Sequence, residues 1–153
     1  MPSIVSSYVY TFAALVAVSA LLILCVNSYV YYLRTTSEQD QLQSILTGVA
    51  AKANEILTLV TTTNSSVTAS LSLPTAIGDQ YYWLRISNDS SRAWVEGALG
   101  KFHEGPAKFQ IAIPSYAVMS GYAMSEHGLA TLQGYMDASI PQLNLTSTGD
   151  WSI

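Results

Sequence analysis

The stretch IVSSYVYTFAALVAVSALLILCVNSYVYYL, Ile4–Leu33, decides the fold. It holds neither Gly nor Pro, and no charged side chain occurs from Met1 to Leu33. About 20 apolar residues let a helix cross the hydrocarbon core of a bilayer, so the run is long enough with residues to spare. Tyr8 and Tyr10 lie at one end, Tyr29, Tyr31 and Tyr32 at the other, and Arg34 closes it. Aromatic rings at both ends suit the two membrane interfaces. A cleaved secretory signal has a basic n-region and a short apolar core; here nothing basic precedes the run. Two readings remain, a transmembrane anchor and an oligomerisation helix that leaves the membrane for a filament core. Composition does not separate them, because both need an apolar helix with its backbone groups satisfied internally.

Downstream the helical period continues while the composition changes. Leu42, Ile45, Leu46, Val49, Ala53, Ile56, Leu57 and Val60 recur at spacings of three and four, one apolar stripe on a 3.6-residue helix. Glu38, Asp40, Gln41, Gln43, Lys52 and Glu55 lie largely off that stripe. A local helix start near Thr35-Thr36-Ser37 would allow a kink there. The pattern predicts one helix from about Ser3 to Val60, roughly 85 Å long at the α-helical rise. A domain of fewer than 100 residues does not cover such a helix, so its first half needs lipid or other chains.

After Val60 the pattern turns to β. TTTNSS (Thr61–Ser66) is predicted to end the helix. VTASLSL (Val67–Leu73) alternates with period two; QYYWLRIS (Gln80–Ser87) sets Tyr82, Leu84 and Ile86 on one face and Tyr81, Trp83 and Arg85 on the other. RAWVEGALG (Arg92–Gly100) and KFQIAI (Lys108–Ile113) read as further strands, with weaker candidates at Tyr116–Met124, Leu129–Tyr135 and Gln142–Thr146. Short strands with frequent turn signals suggest an all-β sandwich, of the Ig-like kind, or a small barrel. The expected class is therefore α+β: a long N-terminal apolar helix, residues 1–60, followed by a small all-β domain, residues 61–153. Within the helix, residues 1–33 form the membrane or filament-core part and residues 34–60 pack on the β domain.

Composition narrows the function classes. The 153 residues are 50% hydrophobic and only 10% charged, against ~25% charged in ordinary soluble domains. Net charge is −4, the wrong sign for a nucleic-acid binder, which displaces counterions with a basic patch. The single cysteine, Cys25, excludes a disulfide framework and sits mid-run, where it acts as a small hydrophobe. His103 and His127 lie beside Glu104 and Glu126, but neither HExxH nor CxxC spacing is present, so no metal site is expected. There is no GxSxG, and GALG (Gly97–Gly100) precedes no helical pattern, so it is no phosphate loop. No catalytic residue and no cofactor is expected. Trp83, Trp94 and Trp151 read as core or inter-subunit contacts, since aromatics dominate burial in small cores and interfaces.

Three N-x-[ST] sequons, at Asn64, Asn88 and Asn144, all fall in the β region. They mark candidate N-glycosylation sites and would place that region outside the cytoplasm. The positive-inside rule points the other way, but by the single Arg34, and the sequons outweigh it.

A wholly apolar helix through SSYVYTFAALVAVSALLI, an amphipathic continuation through QLQSILTGVAAKANEIL and a small β domain together resemble an archaeal type IV pilin-like protein, the group of pilins and archaellins. Precursors in that family carry a short basic leader, whereas MPSIVSSY has no Lys or Arg. The resemblance implies a structural subunit of an extracellular filament for adhesion or motility, a homo-oligomer of helical symmetry, inserted in the cytoplasmic membrane before assembly. It implies a filament core built from Val9, Phe12, Ala13, Ala17, Leu21 and Leu24, with exposed, often N-glycosylated β domains outside it. An alternative within the same machinery is a membrane-anchored accessory protein of a pilus or archaellum, whose β domain binds a surface-layer partner.

Overall fold

The structure, a computed structural model, describes residues 3–105, 107–114 and 117–147, with side chains described from Ser7 on. Tyr116 and Trp151 lie outside the described residues. One helix, α1 (Ser3–Thr63), is followed by seven strands: β1 (Val67–Ser72), β2 (Tyr82–Asn88), β3 (Ala93–Leu99), β4 (Phe109–Ile113), β5 (Val118–Met124), β6 (Leu129–Asp137) and β7 (Ile140–Ser147). A 3₁₀ turn, Ser125–His127, joins β5 to β6. The α+β class expected from sequence is the class observed. The chain divides into two compact units, Met1–Glu38 and Gln39–Ile153.

In the first unit, α1 is helical through Thr35, Thr36 and Ser37, the place where the sequence allowed a kink, as the reading of one continuous helix has it. The Thr35 and Thr36 hydroxyls donate back to the Tyr31 and Tyr32 carbonyls at 3.0 Å, so both polar groups are satisfied within the helix. Arg34 Nε meets Glu38 Oε1 at 3.0 Å, one turn on.

In the second unit α1 runs three residues past the expected end and stops at Thr63. The Thr61, Thr62 and Thr63 hydroxyls bond carbonyls three or four residues back, at 2.5–3.1 Å. β-branched residues that satisfy themselves inside the helix did not break it. Asn64 then takes φ 51, the left-handed conformation that ends helices and that Asn tolerates.

The strands form a single sheet in the order β1-β6-β7-β5-β2-β3-β4. Every pair is antiparallel except β5–β7. This corrects the β architecture: among the described residues there are not two facing sheets, as in an Ig-like sandwich, but one. The reason is the helix. Leu42, Leu46, Val49, Ala53, Ile56, Leu57 and Val60 share one buried cluster with Leu84, Ile86, Val95, Leu132, Leu143 and Leu145 of the sheet. The stripe covers the apolar face that a second sheet would cover in a sandwich.

Two glycines allow that approach. A Cβ at Gly134 of β6 would stand 2.6 Å from Ile56 Cγ2 and 3.0 Å from Val60 Cγ2. One at Gly97 of β3 would stand 2.6 Å from the Trp83 carbonyl oxygen and 3.2 Å from Leu46 Cδ2. Helix backbone and sheet therefore come together where side chains are missing. Gly97, Ala98 and Leu99 of GALG thus belong to β3, with Gly97 at the helix contact. Gly121 is obligatory for another reason: it has φ +109, and a Cβ there would overlap the Leu145 carbonyl oxygen.

Candidate assembly surface

Val9, Phe12, Ala13, Ala17, Leu21 and Leu24 are all exposed in the single chain, Phe12 by 70% and Leu24 by 63%. So are Leu15, Val16, Val18, Leu22, Ile23, Val26 and the five tyrosines of the segment. Apolar residues face every direction around the helix, with no polar stripe among them. Monomeric soluble proteins rarely leave contiguous apolar surface of this extent uncovered. The helix is long and apolar enough to cross a membrane. Ala13, Ala14, Ala17, Ser19 and Ala20 supply small side chains over which helix backbones approach closely. Cys25 is exposed on the same segment.

The three sequons occupy different settings. Asn64 is exposed, just beyond the helix end. Asn88 is half-buried: its Oδ1 accepts from Met119 N–H at 2.8 Å, and its Nδ2 donates to the Asp89 carbonyl at 3.2 Å. Asn144 lies mid-strand on β7, half-buried, with Gln133 of β6 and Ser120 of β5 beside it in register. The sequon triplet does not reveal these differences; they arise from pairing across the sheet.

On the sheet face opposite the helix, sequence reading missed a polar network. Glu96 of β3 is 2% exposed, and its Oε1 accepts from Arg85 Nε of β2 at 2.6 Å and from Ser87 Oγ at 3.3 Å. Gln110 Nε2 of β4 donates to its Oε2 at 3.0 Å. Burial works to raise the Glu96 pKa, but the Arg85 and Gln110 hydrogen bonds, the Arg85 charge and the Ala107 backbone N–H outweigh it and hold the carboxyl below its ordinary value. Arg85 also donates to the Gly105 carbonyl at 3.2 Å, which ties down the loop after β3. Beneath that loop Trp83 is fully buried, with Phe102 and His103 edge-on at 5.2 and 5.3 Å between ring centroids. The Trp83 and Trp94 indole N–H groups have no hydrogen-bond partner among the described residues.

His103 packs on Trp83, while His127 stands 3.8 Å from Glu126. Among the described residues no three of His, Cys, Asp and Glu gather as metal ligands. A cavity of about 430 Å³ is lined by Tyr81, Tyr82, Gly100, Lys101 and Met124, and its acidic neighbours include Glu126. Comparison with protein families, with curated proteins and with solved structures gave no match.

Proposed function

We propose that the chain is a structural subunit of an extracellular filament of the type IV pilus kind, inserted in the cytoplasmic membrane before assembly and polymerising through residues 3–33. The observation that carries this reading is the uncharged, largely apolar and exposed surface from Tyr8 to Leu33, on a helix whose apolar stripe from Leu42 to Val60 is already covered by its own sheet. A membrane satisfies that surface as lipid does any apolar helix; a bundle of identical helices satisfies it equally and leaves the β domains outside. The small residues around Ala17 favour the bundle, because a lone anchor gains nothing from close helix approach. Glycans on the β domain fit the same reading. They would supply steric separation between domains that carry few charges.

The test is assembly. Ala17→Asp places an unpaired charge in the proposed core, where burial without a partner is strongly unfavourable. Negative-stain microscopy of appendages sheared from expressing cells should show filaments for the unaltered chain and none for the variant. Normal filaments from Ala17→Asp would refute the proposed core. A chain that stays in the membrane fraction and never appears in sheared material would instead support the accessory-anchor role.

A further inference from the structure

Among the described residues the sheet has two open edges, β1 and β4. Proteins usually guard such edges with charges, prolines or bulges, because their free N–H and C=O groups template pairing with another chain. Neither edge strand is guarded within its length: β1 reads VTASLS and β4 reads FQIAI, with no charge and no proline. Their apolar faces are also unfinished. Val67, Ala69 and Leu71 on β1, and Phe109 and Ile111 on β4, pack against the core yet stay only partly buried.

The strand directions add a third observation. Following the pairings across the sheet, β1 is antiparallel to β6, β6 to β7, β5 is parallel to β7, and β2, β3 and β4 then alternate. β1 and β4 therefore run in opposite directions. When two copies stand side by side in the same orientation, β1 of one meets β4 of the next antiparallel, the pairing that is slightly more stable per residue. The lengths also match, six residues against five.

We infer that β1 of one copy pairs edge-on with β4 of the next, so that the sheets of neighbouring copies join into one. The contact is heterologous, different surfaces meeting head to tail, which propagates without limit unless a ring closes. It rests on the proposed filament for the like orientation of the copies. The occupant is a second copy because the two edges complete each other: each supplies the missing hydrogen-bond partners and the apolar row that the other leaves half-covered. Among modes of strand addition this one needs no free peptide.

The test uses the full chain carrying Cys25→Ala, with cysteines at Ser70→Cys on β1 and Ala112→Cys on β4, both exposed positions. A bis-maleimide that spans about 7 Å tolerates a two-residue slip of register. Sheared filaments of the doubly substituted chain should give a ladder of covalent multimers on a denaturing gel. The two singly substituted chains should stay monomeric. Filaments that yield no ladder overturn the edge pairing and leave the filament reading intact. Dimers from either singly substituted chain also overturn it, since they would mean like edges pairing with like. A ladder from membranes in which microscopy finds no filament would keep the pairing and refute the filament.

Discussion

The packing of the helix on the sheet can be tested by removing and restoring one contact. Ile56 is 1% exposed, and its Cγ2 occupies the space above Gly134. Ile56→Ala removes three carbons, about 2.4 kcal/mol of transfer free energy at ~0.8 kcal/mol per methylene. The residual cavity raises the expected loss to about 3–4 kcal/mol. Gly134→Ala alone pushes a methyl group to within 2.6 Å of Ile56 Cγ2, overpacking that costs about 1–3 kcal/mol. Together the two changes compensate. The new Cβ enters space that Ile56 has vacated, so the double variant should lose only about 3 kcal/mol instead of the summed ~4–7, a coupling of roughly 1–4 kcal/mol. The assay is denaturant unfolding of the full chain in detergent, followed by the fluorescence of the buried Trp83. Additive losses, or a double variant worse than the sum, would show that Ile56 and Gly134 do not meet and that the stripe packs elsewhere.

Further expectations concern the outer face and the sheet. Glu96→Gln should cost about 2–4 kcal/mol by leaving Arg85 part-buried without its carboxylate. Because the Glu96 carboxyl is held below its ordinary value in the fold, its stabilisation is present above the unfolded carboxylate range and is lost as pH falls through the depressed one. Thermal unfolding against pH should therefore flatten on the acid side in Glu96→Gln, and an unchanged slope would refute the assignment. Burial pushes the Tyr82 hydroxyl up to about 12, and it donates to the Pro74 carbonyl at 2.8 Å. Its stabilisation holds below the unfolded value near 10 and disappears as pH rises toward 12, so Tyr82→Phe should lose about 1 kcal/mol at neutral pH and less at alkaline pH. Gly121→Ala should fail to accumulate folded chain, since the methyl group would overlap the Leu145 carbonyl; a normal yield and circular dichroism spectrum would contradict the described β5–β7 pairing. Peptide mass spectrometry of native material should find a glycan at the exposed Asn64 before Asn88, whose side chain already holds the Met119 backbone; modification of Asn88 alone would reverse that order.

Local patterns carried much of this structure. The alternation in QYYWLRIS placed Tyr82, Leu84 and Ile86 on one face of a strand, and all three are buried. The three-four spacing from Leu42 to Val60 marked the helix face that the sheet covers. What sequence could not reveal is non-local. Alternation fixes which face of a strand is apolar but says nothing of what covers it, so one sheet on a helix and two facing sheets read alike. Arg85 and Glu96 lie eleven residues apart on strands whose register alone brings them together. The edge positions of β1 and β4, on which the further inference turns, are a property of strand order, which no window along the chain contains. The exposed segment from Tyr8 to Leu33 was the most legible feature, because its reading needs no partner residue at all.

The central claim is that this segment is a filament core, and electron cryomicroscopy of material sheared from native cells tests it most directly. The account predicts helical polymers with α1 residues 7–33 of many copies bundled at the axis, neighbouring helices about 8–10 Å apart, and the β domains outside. Single copies whose apolar segment is found only in the membrane or a detergent belt, with no polymer in the sheared fraction, would contradict it.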